Sequence, residues 1–254
     1  DKVAFTGSTE VGKAIARSVA GTDKRLTLEL GGKAANIVFD DAPIDQTVEG
    51  IVAGIFFNQG HVCCAGSRLL VQEGIADELL ARLRRRIDQL RVGDPLDKNT
   101  DVGAINSHAQ LERIRGFVDE ARDGGAEITQ SSRALPERGF YFPPTIVSGL
   151  GGSETICREE VFGPVLAVQT FRTEAEAVAR ANATRYGLSA GVWTEKGSRI
   201  LWMSQRLRAG VVWANSFNRF DPASPFGGMR ESGFGREGGR QGLQEYLRLE
   251  PVGA

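Results

Sequence analysis

Residues 3–16, VAFTGSTEVGKAIA, decide the fold class of this chain. Val3 to Gly7 has the composition of a strand, and Val11 to Val19 has the spacing of a helix, so strand, glycine turn and helix follow in direct succession. The same alternation runs outward from this unit. Extended runs at ANIVF (35–39), RLLVQ (68–72), LAVQTF (166–171), SAGVWT (189–194) and GVVWAN (210–215) are separated by helical patterns over 44–57, 75–90, 109–122, 174–184 and 198–207. The helix over 75–90 places Ile75, Leu79, Leu83, Ile87 and Leu90 on one stripe. No repeat, low-complexity tract or Pro/Gly/Ser linker interrupts the series, and the expected fold class is α/β.

Composition narrows the function. The 254 residues suffice for one large domain or two ordinary ones. Lys and Arg number 31 against 32 Asp and Glu, a net charge of -1, so no field draws the chain to nucleic acid or to an anionic membrane, and a small-molecule partner is expected. The Arg84–Arg86 run shares its helix with Asp77, Glu78 and Asp88, which makes it a solvated face. Three cysteines without framework spacing speak for a reducing compartment, read as the cytoplasm. No run approaches the roughly 18 apolar residues of a membrane-spanning helix. The first residue is Asp, and KVAFTGS (2–8) is already a strand entering a turn, so the chain is expected to be a fragment whose targeting signals would lie upstream.

Three stretches carry chemistry. In FTGSTEVGKAIA (5–16), Ser8 and Thr9 stand where a helix N-cap belongs, and the free N–H groups of such an end suit an anion. Gly7, Gly12 and Lys13 come close to a triphosphate-binding loop, but Ala14 stands where Ser or Thr would hold magnesium. A plain strand-turn-helix without ligand stays open. In LTLELGGKAANIVF (26–39), Glu29 lies between leucines in an apolar strand and Gly31 and Gly32 follow. If buried, its pKa rises and it can relay a proton near neutrality; otherwise it alternates outward from a half-buried strand. Paired glycines let a ligand or another segment come close. In FFNQGHVCCAGSR (56–68), Cys63 and Cys64 are adjacent among small residues Gly60, Ala65 and Gly66, which leave room for a carbonyl to reach a thiolate. Buried core is the other reading. His61 with Cys63 or Cys64 lacks the further ligands of a metal tetrahedron, and no third partner completes a cysteine-protease triad.

Taken in order, FTGSTEVGKAI (5–15), LELGGKAANIVF (28–39), FFNQGHVCCAGSR (56–68), EEVFGPV (159–165) and SPFGGMRESGFGRE (224–237) closely resemble the aldehyde dehydrogenase superfamily. That resemblance implies a partial Rossmann-like cofactor domain plus an α/β catalytic domain. Residues 1–30 would be the end of the dinucleotide-binding domain, 31–226 the catalytic domain and 227–254 a shortened oligomerisation arm. It implies Cys63 as nucleophile, Cys64 as a passive neighbour and Glu29 as general base. Gly7, Ser8, Gly12 and Leu30 would border the cofactor, with Glu160 on the nicotinamide ribose and Phe162 flanking the nicotinamide. The cofactor would be NAD or NADP, and the full protein a homodimer or homotetramer.

The resemblance also implies a mechanism. Cys63 attacks an aldehyde, the resulting thiohemiacetal yields a hydride to oxidised nicotinamide, and Glu29 activates water against the thioester. The Cys63 backbone N–H is a candidate oxyanion donor beside an asparagine that the family places before residue 1. Most of the dinucleotide-binding domain also lies before residue 1, so the fragment alone is expected to be inactive. His61 departs from the family's usual Gln, and the tail LQEYLRLEPVGA (243–254) resembles the start of an oligomerisation strand. Two other readings remain: a catalytically silent assembly module, and a thiol esterase that needs no nicotinamide. Phe56, Phe57, Phe217, Phe220 and Phe226 either line an aldehyde tunnel or belong to the core, and NSFNRFDPASPFGG (215–228) reads as a loop at the site mouth.

Overall fold

A computed structural model describes residues 1–247; residues 248–254, most of the tail expected to begin an oligomerisation strand, lie outside the described residues. The chain runs β1 (Lys2–Thr6), α1 (Thr9–Val19), β2 (Arg25–Glu29), β3 (Ala35–Val38), α2 (Ile44–Phe56), β4 (Arg68–Gln72), α3 (Ala76–Ile87), α4 (His108–Asp123), β5 (Glu127–Gln130) and β6 (Thr145–Ser148). It continues through α5 (Thr155–Arg158), β7 (Val165–Phe171), α6 (Glu174–Asn182), β8 (Ser189–Trp193), α7 (Gly197–Ser204), β9 (Val211–Ala214), β10 (Gly233–Phe234) and α8 (Gly239–Gln244). The α/β class expected from the alternation is the one observed.

Seven strands form the main sheet in the order β5-β6-β7-β4-β3-β8-β9, parallel except for β5 against β6. Its central strands are buried on both faces, as a parallel sheet between helical layers must be. The pleat sorts their side chains. Val38, Leu69 and Val71 pack with Ile51 and Ile55 of α2 and Leu79 and Leu83 of α3, while Ile37 and Leu70 turn to Ala177 of α6 and Met203 of α7. A third cluster joins Leu111, Ile114 and Val118 of α4 to Val147 and Val165 at the β5 end.

A smaller sheet holds the first motif. β1 and β2 run parallel through the crossover α1, and β10 returns from far along the chain to pair antiparallel with β2. That return requires glycine: Gly233 has φ 104°, and a side chain there would strike the Leu28 carbonyl. Ser8 caps α1 by accepting the Val11 N–H at 3.3 Å, as Ser107 and Thr173 cap α4 and α6.

The differences from the sequence expectation are local. The helix expected over 75–90 is Ala76–Ile87, since Glu73–Ile75 forms a 3-10 turn ahead of it; Leu90 still reaches the same core. Phe57 leaves α2 with ψ 135° instead of ending it. β5 and β6, which sequence periodicity did not single out, have four residues each, too few to establish a period. The arginine run of α3 is a surface of ion pairs, Arg84 with Glu127 and Arg86 with Glu49.

Candidate active site

The site forms where β2 ends and the chain crosses from the small sheet to the large one. Glu29 is the last residue of β2 and is only 3 % exposed, so it does not alternate outward. Neither carboxylate oxygen has a hydrogen-bond partner. Burial first, then the charges of Glu237 and Cys63, push its pKa up to about 8, against a smaller pull from Arg236. The carboxyl is therefore mostly protonated at neutral pH and becomes a base just above it.

Gly31 and Gly32 do what paired glycines allow. A side chain on Gly31 would collide with the Glu160 carboxylate, and one on Gly32 with the Cys63 carbonyl. The Gly32 N–H donates to Glu160 Oε1 at 2.9 Å. Burial raises the pKa of Glu160, while that N–H bond and the nearby Lys33 ammonium oppose the shift. The two glycines thus bring the end of β2, the cysteine turn and the EEVFGPV stretch together.

The cysteine turn is shaped by left-handed backbone. Asn58 and Gln59 have φ 49° and 47°, and Gly60 at φ 74° lies against the Gly163 carbonyl. The Ala65 N–H donates to the Val62 carbonyl at 3.0 Å, and Ser189 Oγ donates to the Cys64 carbonyl at 3.3 Å. Cys63 is partly exposed, whereas Cys64 is 1 % exposed. The Cys64 side chain, followed by the backbone N–H groups of Cys64 and Cys63, lowers the Cys63 pKa; burial and Glu160 act the other way. The three cysteines, Cys63, Cys64 and Cys157, are free thiols.

His61, the departure noted above, has a defined place. The Asn106 N–H donates to Nε2 at 3.4 Å, which leaves the ring proton on Nδ1 to meet the Gln59 carbonyl at 3.3 Å. Its ring packs against Phe162 at a tilt of 45°, with centroids 5.0 Å apart. Phe162 is held at φ 54° by the Gln110 side chain, which donates to its carbonyl at 3.0 Å and to that of Val161 at 2.9 Å.

The remaining sequence candidates lie on the small sheet. Gly7 and Ser8 are exposed at the N-terminus of α1, and the Gly7 N–H donates to the Glu29 carbonyl at 3.0 Å. Buried Gly12 and Leu30 pack against each other. Among the aromatics, Phe56 and Phe217 are core, whereas Phe57 borders a cavity of about 570 Å³ with Asn218 and Arg219, and Phe220 and Phe226 border another of about 470 Å³.

Sequence reasoning missed three neighbours. Glu237 reaches Glu29 because Phe226 and Glu237 exchange backbone hydrogen bonds at 2.7 Å beside β10. Asn218 accepts from Cys64 across the fold. Lys33 is buried with an unpartnered Nζ, and burial followed by the Arg68 charge lowers its pKa to about 7. For Lys33 a signal existed: like Glu29, it is a charge in an apolar run beside the glycine pair.

The family model for the aldehyde dehydrogenase family matches residues 1–252. The chain belongs to the aldehyde dehydrogenase family. It is 44% identical over 253 residues to an aldehyde dehydrogenase of Aspergillus niger, covering 99% of this chain and 51% of that protein. The crystal structure of an NAD-dependent aldehyde dehydrogenase from Sinorhizobium meliloti superposes with a TM-score of 0.94 at 46% identity, over 97% of this chain and 49% of that one. Betaine aldehyde dehydrogenase from Staphylococcus aureus, solved in complex with NAD+, gives a TM-score of 0.93 at 38% identity, over 98% of this chain and 50% of that one. The chain thus spans about half the length of the relatives it matches. No helix among the described residues is long and apolar enough to cross a membrane.

Proposed function

We propose that this chain forms the nucleophile-bearing half of an NAD- or NADP-dependent aldehyde dehydrogenase, which oxidises a small aldehyde to the carboxylic acid. The observation that carries the reading is that a partly exposed thiol, Cys63, whose carbonyl lies against Gly32, sits near a buried carboxylate without partners, Glu29, three residues before that glycine. One group is made nucleophilic and the other is poised to take a proton.

In this reading Cys63 Sγ, as the thiolate, adds to the aldehyde carbon to form a thiohemiacetal. Bound NAD or NADP would supply the hydride acceptor. Loss of hydride leaves a thioester on Cys63. Glu29, ionised, takes a proton from water as its oxygen attacks the thioester carbon, and Cys63 leaves as thiolate. Because the pKa of Glu29 is about 8, hydrolysis should rise with pH up to that value.

The residues present suit a dinucleotide. The α1 N-terminus exposes Gly7 and Ser8 where a pyrophosphate would meet N–H groups, with Gly12 and Leu30 packed behind. Glu160 Oε2 is free of the bond that Oε1 makes and can accept from ribose hydroxyls, and the Phe162 ring can flank a nicotinamide. Residues 1–30, 31–226 and 227–254 would serve as cofactor-domain end, catalytic domain and arm of a homodimer or homotetramer in the cytoplasm.

The test uses the protein that joins this segment to the half its relatives also carry. Aldehyde is added with NAD or NADP, and absorbance of the reduced nicotinamide is followed. Cys63→Ala should abolish turnover. Glu29→Gln should give one burst of reduced cofactor and then stall at the thioester. Equal ester hydrolysis with and without cofactor, and no aldehyde oxidation, would overturn the dehydrogenase reading.

A further inference from the structure

A row of ion pairs runs between the two ends of the proposed dinucleotide site. Arg185 rests its guanidinium carbon 4.9 Å from the centre of the Tyr186 ring. Its Nη2 donates to Glu159 Oε2 at 2.6 Å and to the Tyr186 hydroxyl at 2.8 Å, and its Nη1 donates to Glu231 Oε2 at 3.1 Å. The other oxygen of Glu231 meets Lys13 Nζ of α1 at 3.0 Å. One arginine and one glutamate thus link α1 to the residue before Glu160.

Backbone contacts fix both ends of this row. The Glu231 carbonyl accepts from the hydroxyl of Thr9, the first residue of α1, at 3.2 Å, and the Glu231 N–H donates to the Arg185 carbonyl at 3.1 Å. At the other end Thr184 Oγ donates to the Arg158 carbonyl at 3.2 Å, and Glu160 is held through Oε1 by the Gly32 N–H. The Lys13 ammonium first, and Arg185 with it, hold the Glu231 carboxyl below the usual carboxylate range, so it stays charged at neutral pH.

The side chains of Lys13, Glu231 and Arg185 are 44 %, 33 % and 42 % exposed, and ion pairs so open to solvent contribute little to stability. What the row sets is spacing. A dinucleotide that lays its pyrophosphate at the α1 N-terminus and its nicotinamide ribose on Glu160 spans both places. Each contact raises the effective concentration of the other only if their separation fits the ligand.

We propose that Arg185 and Glu231 are positioning residues that hold Glu159 and Glu160 at a fixed separation from the α1 N-terminus, so that one dinucleotide engages both ends at once. They act through their neighbours and not on the cofactor itself. The proposal rests on the reading of an NAD or NADP site, and its test tells the two apart.

The experiment is isothermal titration calorimetry on the protein that joins this segment to the half its relatives also carry. The ligands are NADH and NADPH, and ADP, which has the pyrophosphate but no nicotinamide ribose. Arg185→Met keeps an apolar stem beside Tyr186 and cuts the row at its centre. It should weaken binding of the reduced dinucleotide about five- to twentyfold, the size of a modest coupling between two contacts of one ligand, and leave ADP binding unchanged. Glu231→Gln should act in the same direction. Arg185→Lys, which keeps the charge but not the fork that meets two carboxylates, should fall between the parent and Arg185→Met. The double variant Arg185→Met with Glu231→Gln should lose no more than Arg185→Met alone, because the row is already broken. Equal weakening of dinucleotide and ADP, additive losses in the double variant, or unchanged dinucleotide binding overturns the positioning role. If Arg185→Met lacks a cooperative thermal transition, Glu231→Gln carries the same comparison. A folded parent protein that binds neither NADH nor NADPH would instead overturn the cofactor reading, so the two failures are separable.

Discussion

Two buried charges at the ends of neighbouring segments are treated in opposite ways. Arg68 opens β4 and is fully covered, yet Nε and both terminal nitrogens donate to the carbonyls of Lys33, Arg180 and Ala181 at 3.0, 2.9 and 2.7 Å. Burial lowers its pKa to about 10, still high enough to keep the guanidinium charged at neutral pH. Glu29 closes β2 with no partner on either oxygen and is held mostly neutral. A buried charge that fastens β3, β4 and α6 together is satisfied on every side. A buried acid left without partners costs stability, and such a cost persists where the group has work to do.

The widest separation of the two roles should come from Glu29→Gln. It keeps the shape and removes the ionisable proton, so aldehyde turnover should fall by roughly 10²- to 10⁴-fold, the usual contribution of a general base, while thermal stability holds or rises. A stability loss equal to that of an ordinary core substitution would break the contrast. Arg68→Met should do the reverse in a denaturant titration, removing about 3–5 kcal/mol as three carbonyls lose their donor. Unchanged stability there would show that Arg68 is not a fastener.

Gly32→Ala sharpens the comparison from the side of the backbone. The added methyl meets the Cys63 carbonyl, and the strain should cost about 1–3 kcal/mol and slow Cys63 alkylation together. Loss of one without the other would separate the glycine from the cysteine turn.

The last effect is a slope. The folded pKa of Glu29 lies above its unfolded value of 4.5, so its protonated form favours the folded state. Its contribution is full below 4.5 and is lost as pH rises through about 8. Stability should therefore decline between these values by up to about 1.4 kcal/mol per pH unit, and Glu29→Gln should remove that component. Unfolding curves of the two proteins across the window measure the difference.

Much of this contrast was legible before folding was considered. Glu29 stood out as a carboxylate among leucines ahead of two glycines, and Cys63 and Cys64 as adjacent thiols among small residues, because a local pattern was broken at each; the choice of Cys63 came from the family resemblance. Arg68 gave no such sign, since RLLVQ reads equally well with its arginine at an exposed strand start. Only the coverage of β4 by α6 makes the position buried and supplies the carbonyls.

What the sequence by itself determined is the α/β alternation, the order of the motifs and the residue types that can serve as nucleophile and base. Those features are local, set by side-chain period and by neighbours within a few positions. The tertiary structure alone decided that the Glu237 charge acts on Glu29, that Asn218 accepts from Cys64 and that Lys33 Nζ has no hydrogen-bond partner. Each depends on how segments apart in the chain meet in the fold. Periodicity carries no record of such meetings, and the desolvation they impose is what shifts Glu29 and Lys33 from their ordinary charge.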